Sequence, residues 1–103
     1  MLISMNNCQK VQDVILNFNS RFNEVEKINI SFFIVPKLKS TPIDKHKVKE
    51  LWVVLKGKGK VTKDNKEYLL NINDVFFIES EKEHFIVNTG KQSLSILSIW
   101  WES

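Results

Sequence analysis

The sequence predicts an all-β domain, a small sandwich or barrel of short strands preceded by a short N-terminal helix. Three observations carry that prediction. Runs rich in Val, Ile, Phe and Trp recur between residues 29 and 101, the composition that suits a pleated, half-buried surface. Turn residues punctuate them at close intervals, with no second helical block, internal repeat or low-complexity segment. The chain of 103 residues fits one domain with one core. Its expected parts are an N-terminal helical extension over residues 1–28 and a barrel over residues 29–103.

Around residues 9–24, Val11, Val14, Ile15, Phe18, Phe22 and Val25 recur three or four residues apart, a helical stripe. Asn17, Asn19, Ser20 and Asn23 compete for backbone bonds, so a strand pair is the alternative. NISFFIV (29–35) reads as a strand ended by Pro36. KSTPID (39–44) reads as a loop, because Pro42 biases Thr41 towards extended geometry. VKELWVVLK (48–56) is the strongest strand, punctuated by Gly57 and Gly59. KVT (60–62) and EYLL (67–70) flank Lys63-Asp64-Asn65-Lys66. That is a hairpin signal, because Asp and Asn tolerate positive φ. NINDVFFIE, EHFIVN and SLSILSIWW complete the series, with Asn88-Thr89-Gly90 as a further turn.

Composition excludes several classes. Apolar residues make up 43% of the chain, too many for a disordered one. No apolar run approaches the roughly 20 residues that span a bilayer, and no signal-peptide pattern is expected at MLISMNNCQK. Cys8 is the lone cysteine, so a cytoplasmic address is expected. The net charge of +3 is nearly all lysine, Arg21 being the one arginine. Specific nucleic-acid binders combine arginine with stacking aromatics, so no nucleic-acid partner and no membrane partner are expected. Leu51, Val53 and Leu55 give the strand at 48–56 a second apolar face beside Trp52 and Val54. That second face needs a cover, from the N-terminal helix or from a second copy in a homodimer.

The chemistry-bearing residues are few. Asp44, His46 and Glu50 precede Gly57 in DKHKVKELWVVLKG, and His84 lies in EHFIVN. Strand alternation would put residues 44, 46 and 50 on one face. A neighbouring strand presenting His84 would then complete a small metal site. Glu50 inside an apolar strand is the hardest to read as bland, because a buried carboxylate without a partner is costly. Asp44 has three readings: a metal ligand, a general base, or a loop residue bonded to backbone. Trp52, Phe76, Ile86, Asn88 and Trp100 are the expected pocket walls, although inward aromatics in small barrels are usually core and Asn88 alternatively fixes a strand end.

HKVKELWVVLKG has the form His-x3-Glu-x6-Gly, and NDVFFIESEKEHFIVN ends in His-x3-Asn. In this order, separated by a short hairpin, these resemble the two motifs of the cupin superfamily, over residues 29–101. The resemblance implies a double-stranded β-helix, a jelly-roll barrel holding one divalent metal (Fe, Mn, Zn, Ni or Cu) at its mouth. It implies ligands at His46, Glu50 and His84. The position of the family's first histidine falls on Asp44, and Asn73, Glu79 and Glu81 stand where the family often has Gly, Pro and Gly. Small cupins include isomerases, epimerases, lyases, cyclases and dioxygenases, so the reaction is left open. Two functions are expected: a metal-dependent enzyme acting on a small organic molecule, or a non-catalytic small-ligand or metal-free module.

Overall fold

The computed structural model describes residues 9–11, 15–22 and 28–102, with side chains from residue 28 onward. Nine strands are present among the described residues: β1 (Gln9–Val11), β2 (Ile15–Phe22), β3 (Ile28–Val35), β4 (Lys49–Lys56), β5 (Gly59–Lys63), β6 (Lys66–Leu70), β7 (Val75–Ile78), β8 (His84–Asn88) and β9 (Leu94–Trp101). Every pairing is antiparallel. A six-stranded sheet runs β1-β2-β3-β9-β4-β7, and a three-stranded sheet runs β6-β5-β8. No helix among the described residues is long and apolar enough to cross a membrane.

The helix expected over residues 9–24 is replaced by strands wherever that stretch is described. β2 pairs with β3 along all but its first residue, from Leu16 opposite Ile34 to Phe22 opposite Ile28. The physical reason is an unfilled row of backbone donors and acceptors on β3, which satisfies a whole strand at once. ILNFNSRF also carries a period-2 pattern, Leu16, Phe18 and Phe22 against Asn17, Asn19 and Arg21. That pattern competes with the helical stripe. Residues 12–14 and 23–27 lie outside the described residues.

From β3 onward the strands follow the sequence runs. Asp64 and Asn65 close the β5–β6 hairpin at φ 49° and 66°, the left-handed pair that matches strand twist. Gly57 adopts φ 83°, and a Cβ there would lie 2.7 Å from the Ser93 carbonyl oxygen, so only glycine fits this turn. Burial alternates along β3, β4, β8 and β9. The inward rows interdigitate, Phe33, Val35, Trp52, Val54 and Ile96 from the large sheet against Val61, Leu70 and Ile86 from the small one. Glu50, His84, Asn88 and Ser98 share this interior.

Candidate metal centre

The residues around the site come from four places. Glu50 and Trp52 are successive inward positions of β4, Ser98 lies opposite Trp52 on β9, and His84 begins β8. Asp44 and His46 precede β4 in irregular chain rather than extending it, so alternation along one strand does not align 44, 46 and 50. A bridge does the work instead. Asp44 and His84 pair antiparallel, exchanging backbone hydrogen bonds of 2.9 Å in both directions. The Glu81 N–H donates to the His46 carbonyl at 2.8 Å, and the Ser80 hydroxyl donates to the Lys47 carbonyl at 2.6 Å. The segment before β8 thereby holds the segment before β4.

Asp44, His46 and His84 each offer a ligand atom within 4.8 Å of the others. Asp44 is exposed, His46 half-buried and His84 buried, so the cluster runs from the barrel mouth inward. One Asp44 oxygen accepts the Lys45 N–H at 2.8 Å, leaving its second oxygen available. The His84 Nδ1 lies 2.8 Å from the Lys82 carbonyl. A carbonyl only accepts, so Nδ1 carries the proton and Nε2 of the neutral ring presents a lone pair. Lys82 is itself tied to Asp64 at 3.0 Å; the pair holds the Asp64 carboxyl below its ordinary pKa and the Lys82 ammonium above its own.

Glu50 has unequal oxygens. Its Oε2 accepts the Trp52 indole N–H at 2.7 Å and also the Ser98 hydroxyl. Its Oε1 lies 3.1 Å from His46 Nε2 and 3.9 Å from His84 Nε2. The nearer contact has the distance of an ion pair without the alignment of a hydrogen bond, so Oε1 is buried and unpartnered; the other ring nitrogen of His46, Nδ1, is buried and unpartnered as well. Unpartnered buried polar atoms are costly and uncommon. Here they belong to residue types that hold divalent metals, beside a histidine whose tautomer is already pinned in the way metal-holding histidines are. The donor set therefore fits a metal ion.

The expected walls separate into groups. Trp52 packs edge-on to His84, with ring centroids 5.6 Å apart, and to Phe33 at 5.3 Å. Trp100 stands opposite Glu50 in the β4–β9 register and donates its indole N–H to Ser31 at 3.2 Å. Phe76 is opposite Trp52, and Ile86 is fully buried core. Asn88 is not brought to the cluster. It closes the far end of β8, donating to the Val35 and Gln92 carbonyls and accepting from the Gly90 N–H. Ser98 was not among the sequence-derived candidates. Its only signal was a small hydroxyl in an inward row otherwise made of Leu94, Ile96 and Trp100.

At the two departures where the family often has glycine, the backbone shows why glycine is usual. Asn73 has φ 72° and Glu81 φ 64°, a region that Asn tolerates and Glu adopts only under strain.

The family model for the cupin domain matches residues 31–100. The chain belongs to the cupin family. A structure from Thermotoga maritima described as a predicted oxalate decarboxylase superposes on this cupin with a TM-score of 0.87, at 20% identity and with full coverage of both chains. A Cupin 2 conserved barrel domain protein from Salinispora arenicola superposes with a TM-score of 0.82, at 16% identity, covering 100% of this chain and 87% of that one. Both likenesses concern the fold. Among curated proteins, the mannose-1-phosphate guanylyltransferase of Klebsiella pneumoniae is 41% identical over 54 residues, 52% of this chain. The chain matches 12% of that relative's length.

Proposed function

We propose that this cupin binds one divalent metal ion at the barrel mouth and acts there as an enzyme on a small organic molecule. The observation that carries the reading is the pair of buried, unpartnered atoms, Glu50 Oε1 and His46 Nδ1, beside the pinned His84. Asp44, His46 and His84 would hold the ion, with Glu50 as the fourth holder through Oε1, which lies 3.1 Å from His46 Nε2 and 3.9 Å from His84 Nε2. A divalent metal bound there supplies a Lewis acid that polarises an oxygen of the substrate. Trp52 and Ser98 fix Glu50 so that Oε1 stays turned to the histidines. The Lys82 carbonyl keeps the His84 proton on Nδ1. Trp52 gives the inner wall an apolar surface against His84.

A metal-free, non-catalytic module is the second reading, favoured by the 3.1 Å approach of His46 to Glu50, which lets the two close on each other without a metal. Elemental analysis of protein purified without an affinity tag separates the two. The metal reading requires close to one equivalent. A value under about a tenth of an equivalent after metal-replete expression sinks it, since a specific site must outcompete adventitious binding.

We further propose that a second copy of the chain covers the outer face of the large sheet. Leu51, Val53, Leu97 and Ile99 point outward there as neighbours of Val75 and Phe77, which are 60% and 41% exposed. β1 and β2 extend the sheet edge rather than cross that face, and a self-complementary apolar face suits a two-fold dimer. Light scattering should report twice the chain mass, reduced by Phe77→Glu. A monomer at micromolar concentration overturns the dimer.

A further inference from the structure

Three lysine–carboxylate pairs are present among the described residues, and one is unlike the others. In Lys60–Glu67 and Lys82–Asp64 both side chains are about half exposed. In Lys63–Glu79 the lysine side chain is 15% exposed and the carboxylate 44%. This less exposed cation lies on the inner face. β5 turns Gly59 and Val61 inward, and Lys63 is the next residue in that row, directly opposite His84 on β8. Its ammonium sits 5.0 Å from the centroid of the Phe76 ring. Phe76 in turn is opposite Trp52, which packs on His84. An apolar floor therefore runs from the Lys63 ammonium to the metal-holding histidine.

We propose that Lys63 anchors a carboxylate of the ligand, so that the molecule taken into this barrel is a small organic acid. The proposal rests on the ligand-binding reading above and adds the chemical class. The seat already accommodates a carboxylate, since Glu79 Oε1 lies 2.6 Å from the ammonium. The Phe77 carbonyl at 3.3 Å takes a second donor, and an ammonium has three. The Tyr68 ring at 5.8 Å and the Phe76 ring add cation–π attraction, keeping the charge in place when its partner changes. Glu79 is the exchangeable member. It lies in the segment between β7 and β8, is the more exposed of the two, and is held ionised by Lys63, which keeps its carboxyl below the ordinary value. A half-exposed pair adds little to stability, so an incoming carboxylate replaces Glu79 in kind. Atoms and charge are conserved: one carboxylate leaves the ammonium and another takes its place.

The test is calorimetric titration of the full chain with succinate, and with succinamide as its uncharged match. Both metal-loaded protein and protein stripped with chelator and dialysed are used. The expected result is binding of succinate and not succinamide. Lys63→Met should weaken succinate by about tenfold or more with metal content unchanged, and Glu79→Gln should tighten it by removing the internal competitor. If Lys63 only latches the two sheets together, both variants lower the melting temperature and neither moves succinate affinity. The proposal is overturned if Glu79→Gln fails to bind succinate more tightly than the native chain, or if Lys63→Met binds it equally well. Absence of succinate binding by both the native chain and Glu79→Gln overturns it too. Failure of the metal reading is separate: the native chain would then hold no metal, while the opposite shifts of the two variants persist in stripped protein.

Discussion

The two ends of the barrel interior contain similar polar groups treated in opposite ways. His84 and Asn88 sit on the same face of β8, both 3% exposed, with Ile86 between them. At the Asn88 end, both amide hydrogens and the oxygen are matched by backbone groups of Val35, Gln92 and Gly90. At the His84 end, Glu50 Oε1 and His46 Nδ1 remain unmatched although Oε2 has two donors. A fully satisfied buried amide rigidifies a fold. A carboxyl satisfied on one oxygen only is held ready for something else. The difference teaches that burial of a polar residue does not mark function; the unpaired atom does.

Substitutions can break this contrast directly. His84→Ala or Glu50→Gln should abolish stoichiometric metal, measured by elemental analysis. Added metal should then raise the melting temperature of the native chain and not of these variants. Asn88→Ala should leave metal content intact yet cost about 3 kcal/mol in denaturant unfolding, because it strands buried carbonyls. Loss of metal in Asn88→Ala without loss of stability would reverse the assignment of the two ends. A sharper probe is Ser98→Ala, which frees Glu50 to turn. Metal affinity should fall about tenfold, read by competition with a chromogenic chelator, while the melting temperature of stripped protein changes little. Glu81→Gly relieves the left-handed strain beside His46 and should stabilise the fold by about 1 kcal/mol, with metal content unchanged. The smallest effect concerns the Lys63–Glu79 pair at the seam. Its folded-state Glu79 value lies below the ordinary 4.5, so its contribution is complete above that value and fades as pH falls through the folded value. Lys63→Met should flatten that part of the acid limb in thermal melts, from about pH 5 downward.

Legibility of the sequence differed along the chain for physical reasons. β3 to β9 are runs whose burial alternates or whose ends carry turn residues, and both signals are local. The Asp64-Asn65 hairpin turn was readable because residue type alone decides tolerance of positive φ. The N-terminal stretch was not, since its apolar residues fit two periods. The choice between them depended on an open edge of β3, a separate segment further along the chain. At the site, the sequence singled out His46, Glu50 and His84, and the structure places Glu50 Oε1 3.1 Å from His46 Nε2 and 3.9 Å from His84 Nε2. The grouping of Asp44 with them was expected from alternation along a strand and is produced instead by a bridge to His84. Ser98 was illegible, because a single serine on a strand says nothing until its cross-strand neighbour is known.

By itself, then, the sequence determined the runs that become β3 to β9, the Asp64-Asn65 turn and the types of donor available. All of these follow from the local chemistry of side chains. The tertiary structure decided which oxygen of Glu50 is spent and which is free, which nitrogen of His84 carries the proton, and which lysine lies opposite His84. Those outcomes depend on groups brought together from distant parts of the chain, and hydrogen-bond capacity is settled only when every partner is in place.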